Sequence, residues 1–331
     1  MRRAMMDAPV GDDVFGEDPT VNLLQEEVAD LLGKERALFV VSGTMANEIA
    51  VKVHTNPADG VILERNSHIF LYEGGGAAAL AGVHLYPVLG RRGLMNSEQV
   101  REAITPEDDP HIPRTRLVCL ENTHNRGGGS IHSIDEIRSI QKVALTHGMR
   151  MHLDGARLLN AAVASGIPAC EYARFFDSVS ICLSKGLGAP VGSVLTGSTH
   201  FIQEAIRVRK LFGGGWRQAG ILAAAGRYAL QHNVGRLADD HRNARLMADM
   251  LADLPGFELN PDEVETNIVI ADVSGFPPGA HELVRAAAAG GVEFMAFSPV
   301  RIRLVANLGV TERDCRKAGE IIRKTVKRLL A

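Results

Sequence analysis

A mainly parallel α/β domain followed by a smaller α+β layer is the architecture this sequence predicts. Three observations point to it. Short apolar runs alternate with helical stretches through the first two thirds of the chain, which is the pattern of a sheet with helical crossovers. The strand candidates are apolar almost throughout rather than alternating, as required when helices cover both sheet faces. A long helical region at 236–254 stops at Pro255-Gly256, and only two or three strands and two helices follow it.

The elements follow in order. Gly11-Asp12-Asp13 is an acidic, turn-rich loop. Pro19 opens a helix that Gly33 can close, because proline suits the first helical position and glycine the residue after the last. Strands are expected at 37–41, 61–63, 83–88, 117–120, 150–153, 178–182 and 193–195, with helices at 45–53, 69–80, 134–145 and 201–210. After the long helix come an extended run at 268–273, a helix at 281–289, an extended run at 301–305 and a last helix at 312–330. The boundaries divide the chain into an arm (1–18), a large domain (19–240) and a small domain (241–331).

Composition limits the function. The 331 residues are 46% hydrophobic and 23% charged, with a net charge of −3. That balance gives no basic field for nucleic acid or an anionic membrane. The four cysteines, Cys119, Cys170, Cys182 and Cys315, form no CxxC pair, so reduced thiols in the cytoplasm are expected. No apolar run is long enough to span a bilayer, and the basic start MRRAMMDAPVGDD has no apolar stretch behind it, unlike a signal peptide.

Three clusters carry the chemistry. Ser184-Lys185-Gly186 follows the 178–182 strand directly, and open α/β sheets place ligands at the carboxyl ends of their strands. A lysine that condenses with a carbonyl needs its amine neutral part of the time. His152 and Asp154 alternate on one strand, so both point to one face. Asp154 then ends the strand preceding the one that carries Lys185, and an aspartate beside a protonated pyridine nitrogen makes that ring an electron sink. Ser42-Gly43-Thr44 starts a helix after the 37–41 strand, where unpaired N–H groups attract a phosphate. The bland readings are a surface lysine in a glycine turn, an Asp-Gly turn and a plain helix cap. His68 and His124 also follow strand ends, where a capping or core histidine is the commoner case. No HExxH or paired CxxC argues for a metal.

Taken together, the segments VGDDVFGEDPTVN, GKERALFVVSGTMAN, SHIFLYEGGGAAALAG, LENTHN, HLDGARLLNAA, CLSKGLGAPVGSVLTG, RKLFGGGWRQAGILAAA and IRLV resemble the low-specificity L-threonine aldolases. They run from Val10 almost to the end of the chain. The resemblance implies pyridoxal-phosphate (PLP) fold type I, aspartate-aminotransferase-like, with a mainly parallel mixed seven-stranded sheet in the large domain. It implies cleavage of L-threonine, L-allo-threonine and other β-hydroxy-α-amino acids to glycine and an aldehyde. Another PLP reaction on the same scaffold (β-elimination, transamination or racemisation) stays open, as does a weakly active PLP-binding protein.

The resemblance also implies roles. Lys185 would hold PLP covalently, Asp154 would hold the pyridine nitrogen and His68 would stack on the ring. Gly43, Thr44 and Ser184 would bind the phosphate, with Arg217 reaching in from a neighbouring subunit. Arg157 and Arg303 would grip the substrate carboxylate, a task suited to guanidinium forks. His124 would sit near the substrate hydroxyl, with His124 or His68 as base. A homotetramer with sites at a dimer interface is the implied assembly. The family also carries a longer arm before the Val10–Asp13 segment, supplying a serine to the carboxylate. With only nine residues before Val10, the expectation is either an earlier natural start or a weakened clamp. Phe15 for tyrosine, Trp216 for methionine and Ala306-Asn307 for Thr-His are smaller departures.

Overall fold

The computed structural model describes all residues, Met1–Ala331. It contains two compact units: Met1–Gly127 with Ile131–Gly235, and Arg236–Ala331 with the short segment Gly128–Ser130.

The first unit is built on seven strands: β1 (Arg36–Val40), β2 (Gly60–Glu64), β3 (His84–Val88), β4 (Thr115–Glu121), β5 (Arg150–Asp154), β6 (Ser178–Cys182) and β7 (Ser193–Gly197). Their order across the sheet is β1-β7-β6-β5-β4-β2-β3. β2, β5, β6 and β7 are buried along their whole length, apart from Arg150 at the start of β5, which explains why they read as continuous apolar runs. β7 runs antiparallel to both β6 and β1. β1 is therefore parallel to β6, and the carboxyl ends of β1, β2, β4, β5 and β6 all open on one edge of the sheet.

The helix Pro19–Leu32 shows how the local sequence fixes an element. It begins with proline at its first position and ends at Gly33. Its cap, Asp18, is fully buried. One carboxylate oxygen accepts from the Thr20 and Val21 amides at 3.1 and 3.0 Å. The other accepts from Gly220 at 2.8 Å and Gly11 at 3.2 Å. Alanine at 18 leaves these four donors without an acceptor inside the protein. The cap and the orphaned amides together put the loss at about 2–4 kcal/mol, read as a lower urea midpoint for Asp18→Ala with an unchanged slope.

The expected helix at 69–80 is not continuous. The chain makes one short turn, His68–Leu71, then reverses through Tyr72–Gly76 into a one-turn π-helix, Ala77–Ala81. Gly74 and Gly75 take φ of +64° and +73°, left-handed values that glycine adopts without a Cβ penalty. The apolar spacing continued through this segment, but the glycines break the backbone beneath it.

The second unit has a three-stranded antiparallel sheet of β8 (Ile268–Asp272), β9 (Met295–Ser298) and β10 (Arg301–Val305), in the order β8-β10-β9. Leu251, Phe276, Leu283, Ile302, Ile322 and Val326 form its core with the helices Leu237–Ala252, Gly279–Ala288 and Glu312–Leu330. No helix in the chain is long and apolar enough to cross a membrane.

Candidate active site

The site lies where five strand ends of the first unit meet. Asp154 is the last residue of β5 and stands level with Glu121 of β4 and Ser180 of β6. Its carboxylate is buried. One oxygen accepts the Ala156 amide at 3.1 Å, and the other accepts the side-chain nitrogen of Asn47 at 2.9 Å. An aspartate whose oxygens act only as acceptors, facing the mouth of the sheet, suits a cationic ring nitrogen.

Asn47 is the first residue that the sequence reading missed. It sits one turn into the helix Gly43–His54, four residues after Gly43 and so on the same helix face. All four of its hydrogen-bonding positions are used. Its oxygen faces Ser180 Oγ and His152 Nε2, each at 3.1 Å. Its nitrogen donates to Asp154 and, at 2.8 Å, to Glu73 Oε1. The direction of this network follows from chemistry. A carboxamide oxygen can only accept, so the His152 proton lies on Nε2. His152 Nδ1 then accepts from Ser178 Oγ at 2.8 Å. Burial pushes the His152 pKa down to about 4, which fits a neutral ring with one proton. His152 and Asp154 thus point to the same face, as their alternation requires.

Glu73 is the second missed residue. The Gly74-Gly75 reversal brings it back to His68, whose Nδ1 lies 2.8 Å from Glu73 Oε1. The hydrogen bond to Glu73, against the opposing effect of burial, raises the His68 pKa above its usual 6.5. The polar atoms of His68, Glu73 and Asp154 lie within 4.8 Å of one another. Lys185 follows β6 on the same edge, is half-buried, and is close enough for its charge to oppose protonation of His68.

Gly43 starts its helix beside Cys182, and a Cβ there would stand 2.8 Å from the Cys182 sulfur. Glycine therefore lets the helix N-terminus approach the end of β6. Ser42 caps that helix by accepting from the Met45 amide at 3.1 Å. The amides of Gly43 and Thr44 precede the first intrahelical hydrogen bond, from Ala46 to Ser42, and remain for an anion. Ser184 is exposed beside them in the sequence of strand ends. Arg157 follows β5; burial lowers its pKa, while Glu121, Cys182 and Asp154 act on it through space in the opposite direction.

The other expected residues are placed differently. His124 is fully buried. Its Nδ1 accepts the Gly127 amide at 3.0 Å, and its Nε2 faces Glu64 at 3.2 Å and Glu121 at 3.7 Å. Burial pulls its pKa down, but these two carboxylates outweigh that and raise it. Glu121 also holds the His68 and Asn125 amides, each at 2.8 Å. Arg217 is largely exposed and pairs within its own chain with Asp12 at 2.6 Å, near the ring of Phe15. Arg303 belongs to β10 of the second unit. Its guanidinium lies 4.4 Å from the Phe297 ring centroid, with Nη2 3.1 Å from the Met295 sulfur.

This donor set fits pyridoxal phosphate. It offers an amine at Lys185, a carboxylate at Asp154 for the ring nitrogen, and a glycine-opened helix start for the phosphate. The fold is of the aspartate-aminotransferase type, and the site is that of a PLP enzyme. The chain superposes on a threonine aldolase from Leishmania major with a TM-score of 0.84 at 21% identity, covering 98% of this chain and 94% of the other. With an aspartate aminotransferase variant from Thermus thermophilus the TM-score is 0.72 at 17% identity, covering 98% and 90%. The chain belongs to the beta-eliminating lyase family, whose profile matches residues 1–274. It is 44% identical over 318 residues to low-specificity L-threonine aldolase 1 of Arabidopsis thaliana, covering 95% of this chain and 89% of the relative. It is 47% identical over 252 residues to the low specificity L-threonine aldolase of Escherichia coli K12, covering 76% and 74%.

Proposed function

We infer that this chain is a PLP-dependent carbon–carbon lyase. It cleaves L-threonine, L-allo-threonine and related β-hydroxy-α-amino acids to glycine and an aldehyde. The observation that carries the reading is the strand-end pair of Lys185 and Asp154 on one sheet edge, in a chain 44% identical over nearly its whole length to a threonine aldolase. An aldehyde assay on L-threonine, L-allo-threonine and D-threonine tests it. Acetaldehyde with glycine is the expected result; a keto acid with ammonia would assign another PLP reaction to the scaffold.

Bound at this edge, PLP supplies an aldehyde for an amine and an electron-poor ring that accepts the electrons of the breaking Cα–Cβ bond. The chain's residues do the rest. Lys185 would hold the cofactor through its amine. Asp154, fixed by Asn47 and the Ala156 amide, holds the proton on the ring nitrogen. Gly43, Thr44 and Ser184 bind the phosphate. Arg157 holds the substrate carboxylate and so sets which bond at Cα is aligned for cleavage. His68 is the better-placed base: Glu73 fixes its Nδ1, leaving Nε2 to take the β-hydroxyl proton directly or through one water. His124, whose Nδ1 accepts the Gly127 amide while Nε2 faces Glu64 and Glu121, is the second candidate base near the substrate hydroxyl.

A pH dependence follows from this assignment. The base form of His68 is the neutral ring, and the pKa of that ring is raised. Accordingly kcat/KM climbs with pH through a midpoint above the ordinary histidine value. His68→Gln removes this limb and lowers the plateau by about a hundredfold, the lower end of general-base effects. A limb that survives the substitution unchanged assigns the proton to another group.

The proposed assembly is a homotetramer with sites at a dimer interface, in the cytoplasm. Arg217 would act across that interface. Phe15 and Leu211 are 71% and 70% exposed, and the ring of Phe15 lies beside Arg217; this apolar surface is what the proposed interface would cover. Sedimentation of the purified protein at low concentration measures the assembly directly.

A further inference from the structure

We propose that Glu48 is a neutral hydrogen-bond donor to Glu73 and, acting through Glu73 as a positioning residue, sets how tightly His68 holds its proton. Glu48 follows Asn47 on the helix Gly43–His54 and points into the interior beneath the site. It is 2% exposed and Glu73 is 7% exposed. Both oxygens of Glu48 and the outer oxygen of Glu73, Oε2, are buried without a hydrogen-bond partner of good geometry. Gly76 leaves the room that Glu48 occupies, since a Cβ there would stand 2.5 Å from Glu48 Oε1.

Two carboxylates cannot both be charged at such close quarters without a large electrostatic cost. One proton between them relieves the repulsion and gives the orphaned Oε2 a donor. The position of that proton follows from the other contacts. Glu73 Oε1 already accepts from both His68 and Asn47, which favours the anion at Glu73. Glu48 has only the Ala77 amide acting to favour its charge, the weakest of the influences on it, and keeps the proton. Burial, followed by the charge of Glu73, pushes the Glu48 pKa up to about 9. The neighbouring Cys119 adds no charge, because burial raises its thiol well above the usual range.

A donor on Oε2 draws electron density away from Oε1 and weakens the pull of Glu73 on the His68 proton. The groups facing His68 are Glu73, Asp154, Lys185 and the ring of Tyr72 at 5.6 Å, with Glu121 on its backbone amide. Among these, Glu73 alone bonds to the ring, so control of Glu73 is control of His68.

The test is an NMR titration of the His68 ring carbon in the PLP-loaded protein, assigned by its loss in His68→Gln. Glutamine at 48 keeps a neutral donor of the same shape, so Glu48→Gln holds the wild-type midpoint. Methionine removes the donor, so Glu48→Met raises the midpoint by roughly half a pH unit or more, the scale on which a hydrogen bond to a charged form moves a pKa. A lowered midpoint in Glu48→Gln means that a negative charge was removed, and overturns the proposal. An unmoved or lowered midpoint in Glu48→Met does the same. Should the methionine variant fail to fold, the carboxyl carbon shift of Glu48 in the wild type decides: an un-ionised acid at neutral pH supports the proposal and a carboxylate overturns it. The inference rests on the proposed function only for cofactor loading. A wild type that takes up no PLP defeats that function, whereas normal uptake with a His68 that ignores position 48 defeats this inference alone.

Discussion

Lys185→Ala is expected to abolish turnover, with a fall of roughly 10⁴-fold or more, the scale on which loss of a covalent catalyst is felt. Lys185 is the one amine on the sheet edge that lies beside Asp154 and His68, and its backbone is fixed by the turn that follows β6. The Leu183 amide donates to the Gly192 oxygen at 3.0 Å and the Gly188 amide to the Lys185 oxygen at 2.9 Å. Neither bond involves the side chain, so the alanine variant should fold as the wild type does. Borohydride treatment of the wild type should attach the cofactor at this lysine and nowhere else, and treatment of the variant should attach none. A stable adduct at another lysine would move the catalytic centre and undo the assignment of the site.

Asp154→Asn should reduce kcat/KM by roughly 10³-fold, as expected for the loss of one preorganised electrostatic group. The substitution keeps the shape and removes the charge that holds a proton on the ring nitrogen. It also introduces two N–H donors where the wild type presents only acceptors. Asn47 Nδ2 and the Ala156 amide both point at Asp154, so one of these contacts becomes donor against donor. The network is saturated and Asn47 cannot flip without opposing its oxygen to Glu73. Weaker cofactor retention should therefore accompany the lost activity. Asp154→Asn activity within tenfold of the wild type would show that the ring nitrogen is held by something else.

The parts of the site that were legible in the sequence are those set by chain direction. In a parallel sheet the residues after each strand arrive at the same edge, so Gly43, Asp154 and Lys185 could be placed together from strand ends alone. His152 could be placed with Asp154 by the two-residue alternation. The supporting layer was not legible in this way. Asn47 and Glu48 lie on adjacent positions of one helix, and the depth of each depends on how that helix is rotated against β5 and β6. Glu73 could be found only by recognising that Gly74-Gly75-Gly76 reverses the chain. A helix continued from His68 would have carried Glu73 away from that ring. The triple glycine was the available signal, but apolar residues on both sides of it preserved the appearance of helical spacing. His124 illustrates the opposite limit. Its place after a strand was readable, but its full enclosure by Glu64, Glu121 and Gly127 depends on loops from several strands.

The pairing of β1 constrains how the molecule is made. β1 bonds only to β7, with Val40 opposite Ser193. A growing chain leaving the ribosome therefore carries the apolar segment Ala37–Val40 unpaired until about 150 further residues have emerged, roughly 8–30 s at ordinary elongation rates. During that interval the segment is an open sheet edge available to any other extended chain. Dilution and co-translational chaperones should raise the yield of native protein more than any change to the active site, and refolding from denaturant should be slow and limited by protein concentration.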